Sequence, residues 1–283
     1  MRNAILFILP ALVLSGCNHS EGIPPADGIY TGTLQTPSGA SDTIYALIDA
    51  NGLGMIIDQT SPQILRFTVP PPDSSGNFST NFTAFSGAGF GVSSGNGSSA
   101  GNTLNGTVNG SSHGIGGKVD RNTITGTIST AGATGLAFTL NYDSAAYENN
   151  VQSLATLVSS STTGAAPSLS FQYTAAGAAS GSAATTVTFT LSTTQNTNVT
   201  GSPYTFTGID NNGCTYSGLI TMPNNGYNAY EFTLSGSCNG TPFAIRSGLA
   251  NYNAQNGAVP ASLTLEYNDS GAFAVAANAQ FQN

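Results

Sequence analysis

The reactive side chains of this 283-residue chain are few, and their spacing can be held against known chemistry. Gly91-Val92-Ser93-Ser94-Gly95, Gly97-Ser98-Ser99-Ala100-Gly101 and Gly110-Ser111-Ser112-His113-Gly114 all satisfy the Gly-x-Ser-x-Gly pattern of a hydrolase nucleophile. Such a serine needs a strand-turn-helix corner and a distant histidine base. All three matches lie in one Gly/Ser/Asn-rich tract, residues 86–117, where composition alone produces them. The two histidines are His19, near the start of the chain, and His113, beside a candidate serine. Among the carboxylates, Asp42, Asp49 and Asp58 fall along one strand pair, and Asp143 and Glu148 flank a helix start. Two such acids are what glycoside hydrolysis requires, but turn and capping roles explain all five more simply. The spaced Asp-x-Asp-x-Asp-Gly loop of a Ca²⁺ site does not occur. The expectation is a chain with no catalytic residue, metal site or cofactor, and not an enzyme.

Cys214 and Cys238 give a sharper reading. Pairing outward from Gly226 sets Met222 opposite Tyr230, Ile220 opposite Phe232, Gly218 opposite Leu234, Tyr216 opposite Gly236, and Cys214 opposite Cys238. Facing residues of an antiparallel pair have Cα atoms within disulfide reach, so a Cys214–Cys238 disulfide is expected, worth about 3 kcal/mol on the loop-entropy estimate. A redox-active pair is the weaker alternative, since the spacing is not Cys-x-x-Cys, and a metal site would need histidines nearby.

The elements that position these residues read as strands and turns. Strands are expected over 28–34, 42–49, 53–58, 63–69, 77–85, 102–109, 122–129 and 135–143. A second series covers 168–175, 185–192, 200–208, 213–222, 229–238, 241–250, 261–267 and 272–281. Around Asn51-Gly52, the preferred pair for a type I′ turn, Ala50 is set opposite Leu53, Ile48 opposite Met55 and Ala46 opposite Ile57. Those six would share one apolar face, leaving Tyr45, Asp49 and Asp58 on a mixed one. Tyr147, Val151, Leu154 and Val158 recur at helical spacing after Ser144, a plausible N-cap, and predict a short linking helix over 144–158.

The fold class is therefore all-β, with antiparallel meander strands in two small barrel or sandwich-like units. The N-terminal unit runs over 28–158, with residues 86–117 as a long surface loop or, as the second reading, ragged edge strands, and the C-terminal unit over 159–283. Phe138-Thr139-Leu140-Asn141-Tyr142-Asp143-Ser144 and Leu263-Thr264-Leu265-Glu266-Tyr267-Asn268-Asp269-Ser270 hint at a repeat of one unit by the other.

The chain opens with Arg2, an apolar run from Ala4 to Leu14, and Leu14-Ser15-Gly16-Cys17. The run is shorter than the roughly 20 residues a membrane span needs and divides as an export leader does. Leu-Ser-Gly-Cys resembles the lipobox of bacterial lipoproteins. The resemblance implies that residues 1–16 are a signal peptide and that Cys17, the first mature residue, carries diacylglycerol and an amide-linked acyl chain such as palmitate. Residues 17–27 would be the tether to the membrane. Asn18, by enteric-type sorting, implies the outer membrane, facing medium or periplasm.

Loss of the leader removes Arg2 from five basic residues and none of the 13 acidic ones. Arg66, Lys118, Arg121 and Arg246 form no basic cluster in sequence, which argues against nucleic acid as a partner. Gly28-Ile29-Tyr30-Thr31-Gly32-Thr33-Leu34 and Gly213-Cys214-Thr215-Tyr216-Ser217-Gly218 resemble segments of uncharacterised proteobacterial β-rich lipoproteins. The layout is also similar to that of the transferrin-binding and factor H-binding surface lipoproteins, though the scarcity of lysine prevents transfer of their ligand-binding residues. The expected role is non-enzymatic, binding a protein or glycan or serving a structural purpose at the envelope. Two alternatives are a carrier of a lipid-like small ligand in a barrel cavity and an integral outer-membrane barrel. The latter is suggested by alternation of Phe273, Val275, Ala277, Ala279 and Phe281.

Overall fold

The computed structural model describes residues 23–95, 97–112, 119–131, 135–159, 166–179, 181–195, 203–256, 260–269 and 273–282. Residues 1–16, expected to be a leader, and Cys17, His19 and His113 lie outside them. The first barrel comprises β1 (Gly28–Gln35), β2 (Ser41–Ile48), β3 (Leu53–Asp58), β4 (Gln63–Thr68) and β5 (Asn77–Ser86), then β8 (Thr103–Ser112), β9 (Val119–Ser129) and β10 (Leu136–Tyr142). Two short strands, β6 (Val92–Ser93) and β7 (Gly97–Ser98), lie between β5 and β8. Strands adjacent in this series pair antiparallel and β10 returns to β1, closing the sheet. The second barrel repeats the meander with β11 (Ser168–Ala175), β12 (Thr185–Gln195), β13 (Tyr204–Asp210), β14 (Thr215–Thr221), β15 (Tyr230–Cys238), β16 (Thr241–Asn253), β17 (Ser262–Asn268) and β18 (Ala274–Gln282). The all-β, two-barrel reading is borne out. The short similarity between the halves is not the repeat, because its copies lie in β10, the last strand of one barrel, and β17, the penultimate strand of the other.

Alternation explains both interiors, since every second residue of a strand points inward. Tyr30, Ile44, Ile56, Leu65, Phe82 and Ile124 are among those filling the first barrel. Phe171, Phe189, Phe206, Phe232 and Tyr267 dominate the second. The aromatic lumen needs room, which strand glycines supply: Gly208 lies under Phe189, Gly218 under Phe206 and Gly248 under Phe232. The Val275, Ala277 and Ala279 alternation belongs to this lumen. A transmembrane barrel has its apolar band outside, whereas the outer face here carries exposed Thr207, Thr215, Ser217 and Ser235.

The hairpin around Gly226 has the expected register, with Tyr216 opposite Gly236 and Ile220 opposite Phe232. Cys214 and Cys238 are disulfide-bonded, their Cα atoms 4.1 Å apart. The hairpin around Asn51-Gly52 does not keep its expected register. Leu47 pairs with Met55 and Ala46 with Ile56, a shift of one residue. Gly52 N–H donates to the Asp49 carbonyl with Gly52 at φ +81°, a three-residue loop ending in a left-handed glycine. A type I′ turn would need Asn51 at positive φ, and Asn51 is not. Because side chains alternate, the shift moves Met55 and Ile57 to the opposite face from Ala46 and Ile48.

Both faces of this hairpin are in fact buried. Tyr45, Leu47, Met55 and Ile57 join Ile29, Ile64 and Phe85 on the outside of the first barrel, against Ala229, Leu249, Ala274 and Ala276 on the outside of the second. The barrels are thus fused side by side through a third apolar core.

Two other expectations are corrected. The linking helix is broken into α1 (Ser144–Tyr147) and α2 (Leu154–Ser159), and the first N-cap is Asp143, not Ser144. Asn149 and Asn150, poor helix formers, fall in the break, and the two pieces serve different cores. Tyr147 enters the interbarrel core, while Leu154 and Leu157 plug one end of the second barrel. Part of the 86–117 tract is a strap between the barrels and not a surface loop. β11 and β18 pair only from Ser168↔Gln282 to Ser170↔Gln280, and β6 fills the opening beyond. Gly91 N–H donates to the Ala276 carbonyl, Thr174 N–H to that of Gly91, and Ser94 N–H to that of Ala274. The tract continues into β7 and β8.

Candidate functional site

The acids singled out by sequence are mostly consumed by the backbone. Asp49 Oδ1 accepts from Asn51 and Leu53 N–H, Asp58 Oδ1 from Thr60 and Ser61 N–H, and Asp143 Oδ1 from Ala146 N–H. Glu148 accepts from the Tyr142 hydroxyl at 2.7 Å. Asp42 is buried beside Asp58, whose carboxyl burial and this like neighbour push up, against the two amide bonds. The turn at Asp49 recurs at Asp73 and Asp210: in each Asp-x-x-Gly the carboxylate accepts from the second and fourth following amides. Asp210 Oδ2 also accepts from Tyr216 at 2.7 Å. This motif was visible in the sequence as a repeated Asp-x-x-Gly at hairpin ends. Ser93 lies in β6, and Ser94 Oγ donates to the Ser86 carbonyl at 2.7 Å. Neither stands on a strand-turn-helix corner.

The structure instead concentrates unspent polar groups where the barrels meet. Tyr45 donates to Asn251 Oδ1 and Asn51 Nδ2 to Glu231 Oε1, both at 2.6 Å. Asn228 Nδ2 reaches the carbonyls of Ala146 and Tyr252. Asp49 Oδ2 is buried with no donor and faces the Glu231 carboxyl. Burial, then Glu231, pushes the Asp49 carboxyl up to about 7.

Arg66 on β4 and Glu266 on β17 form the ion pair of this seam, Nη1 to Oε2 at 3.6 Å. That distance is too long for a hydrogen bond. Arg66 is 9% exposed and Glu266 fully buried. Arg66 Nη1 and Nη2 and Glu266 Oε2 have no hydrogen-bond partner, while Oε1 accepts from Asn268 Nδ2 at 2.7 Å. Burial pushes the Glu266 carboxyl up, opposed by Arg66 and the Asn268 bond. Arg66, but not Glu266, lines a groove of about 430 Å³ that is bounded also by Leu53, Phe67, Thr68, Thr80, Asn81 and Phe82 of the first barrel and Ser247 and Asn268 of the second.

The end of the second barrel opposite α2 holds the other arginine with a described side chain. Arg246 stacks 3.8 Å from the Phe273 ring centre and 4.4 Å from that of Phe243, beside buried Tyr267, whose hydroxyl has no partner. Between these ends, the lumen leaves an apolar space of about 30 Å³ lined by Leu169, Phe189, Phe206 and Leu265.

None of the protein-family models, curated proteins or solved structures compared with this chain matches it. Among the described residues no helix is long and apolar enough to cross a membrane.

Proposed function

We propose that this chain is a lipoprotein anchored to the outer membrane through Cys17, with a non-enzymatic binding or structural role at the cell envelope. The observation that carries this reading is the leader ending in Leu14-Ser15-Gly16-Cys17. The Cys214–Cys238 disulfide supports it, because such bonds persist in oxidising compartments, and leaves Cys17 as the unpaired cysteine. Feeding expressing cells an alkyne-tagged palmitate tests the anchor. The full chain is expected to take up label and fractionate with outer membrane, and Cys17→Ala to do neither. An unlabelled wild-type chain sinks the proposal.

Among the described residues, the small space left in the second barrel favours surface binding over carriage inside that lumen. A 150 Å³ apolar cavity holds about one benzene, and the second barrel offers about 30 Å³. Denaturing purified protein and extracting it with solvent discriminates: a carrier releases a lipid-like molecule, and a surface binder does not.

A further inference from the structure

The end of the second barrel that holds Arg246 narrows the binding role, and rests on that part of the reading. We propose that it binds a small monocarboxylate with an apolar body, held by the Arg246 guanidinium. Arg246 is aimed at this end by an irregularity of β16. Residues three apart on a regular strand face opposite sides, but one extra β16 residue lies between the Gly236↔Phe243 and Leu234↔Arg246 pairs. Such a bulge re-aims side chains, and here it turns Phe243 and Arg246 to the same, lumenal side as Leu234.

There the guanidinium carbon lies 3.8 Å from the Phe273 ring centre and 4.4 Å from that of Phe243. Its Nε is buried without a partner, whereas Nη1 and Nη2 stay in contact with solvent. No described hydrogen bond or ion pair engages those two nitrogens. In a chain with 13 acidic and five basic residues, this cation has lost water to two rings and meets no described acid within 4 Å. Its free nitrogens can donate two parallel bonds to the two oxygens of one carboxylate. Asp210, close by through Tyr216, has both oxygens engaged, Oδ1 by Asn212 and Cys214 N–H and Oδ2 by the Tyr216 hydroxyl. One cation beside that acid suits a single negative charge better than a dianion. The half-buried rings of Phe243, Phe273 and Tyr173 offer apolar edges to the rest of the ligand.

The test titrates the isotope-labelled full chain with benzoate, followed by NMR, with benzamide, benzylammonium and inorganic phosphate for comparison. Benzoate is expected to bind and to shift the Arg246 Nε–H signal and the ring signals of Phe243 and Phe273. Arg246→Met keeps a flexible side chain against the rings and should weaken benzoate about 10–100-fold, the effect of losing hydrogen bonds to a charged group. Thermal unfolding checks that this variant folds; if it does not, the shift map of the unaltered chain decides the matter. The proposal is overturned if benzoate does not bind, if any comparison compound binds as tightly, if the shifts lie elsewhere, or if the folded Met variant keeps its affinity. An acylated chain that binds no benzoate keeps the envelope reading and loses this site. A benzoate-binding chain without acylation keeps the site and loses the anchor.

Discussion

The two barrels share one meander but close and fill differently. The first closes with five residue pairs between β1 and β10 and fills mainly with aliphatic side chains. The second closes with three pairs between β11 and β18, borrows β6 from its neighbour to complete the gap, carries the disulfide and fills with rings over glycines. The difference shows that the second barrel depends on the first, and that the seam is part of its fold.

The largest effect should come from Gly218→Val, since a Cβ there would overlap the Thr233 carbonyl oxygen and the Phe206 ring. About 4 kcal/mol or more is expected, as for forced overpacking that moves backbone, read from urea unfolding. A loss below about 1 kcal/mol would mean the ring-over-glycine packing does not support the second barrel. Replacing Cys214 and Cys238 together by Ser should cost about 3 kcal/mol for a loop closed over a sequence separation of 24. The second barrel's amides should lose hydrogen-exchange protection first; earlier loss in the first barrel would reverse the dependence.

Leu249→Ala strikes the seam at a fully buried position and should cost about 2–3 kcal/mol. It should also separate one unfolding transition into two. A single, merely shifted transition would show that the barrels are coupled elsewhere.

A pH dependence is expected at the same seam. Asp49 titrates near 7 when folded and near 3.8 when unfolded. Between these values the folded chain binds the extra proton, so the contribution to stability is full below about pH 4, falls as pH rises, and is gone above about pH 7. Asp49→Asn keeps an oxygen for the turn amides and should flatten the decline in melting temperature between about pH 4 and pH 7. An unchanged slope would show that the decline does not come from Asp49.

Local signals carried much of the fold. Alternating runs located the strands of both barrels, often to within a residue or two, and the paired cysteines fixed one hairpin. The Asn51-Gly52 hairpin was misread because a preferred turn dipeptide was weighed without Asp49, whose carboxylate selects the longer turn. Helical spacing linked Tyr147 to Leu154, though the two side chains belong to different cores. The candidate site was least legible. Its one trace is a charge set within each of two apolar strands, Ile64-Leu65-Arg66-Phe67 and Leu263-Thr264-Leu265-Glu266-Tyr267, far apart in the chain.

The sequence by itself determined most of the strands, the Gly226 hairpin and the disulfide partners, because each follows from interactions among residues near in the chain or paired across one hairpin. Only the tertiary structure decided which way the first hairpin faces, where the Gly/Ser tract runs and what Arg66 meets. A strand buried on both sides has no polar face to report its orientation, and a seam between barrels forms from side chains that no local pattern brings together.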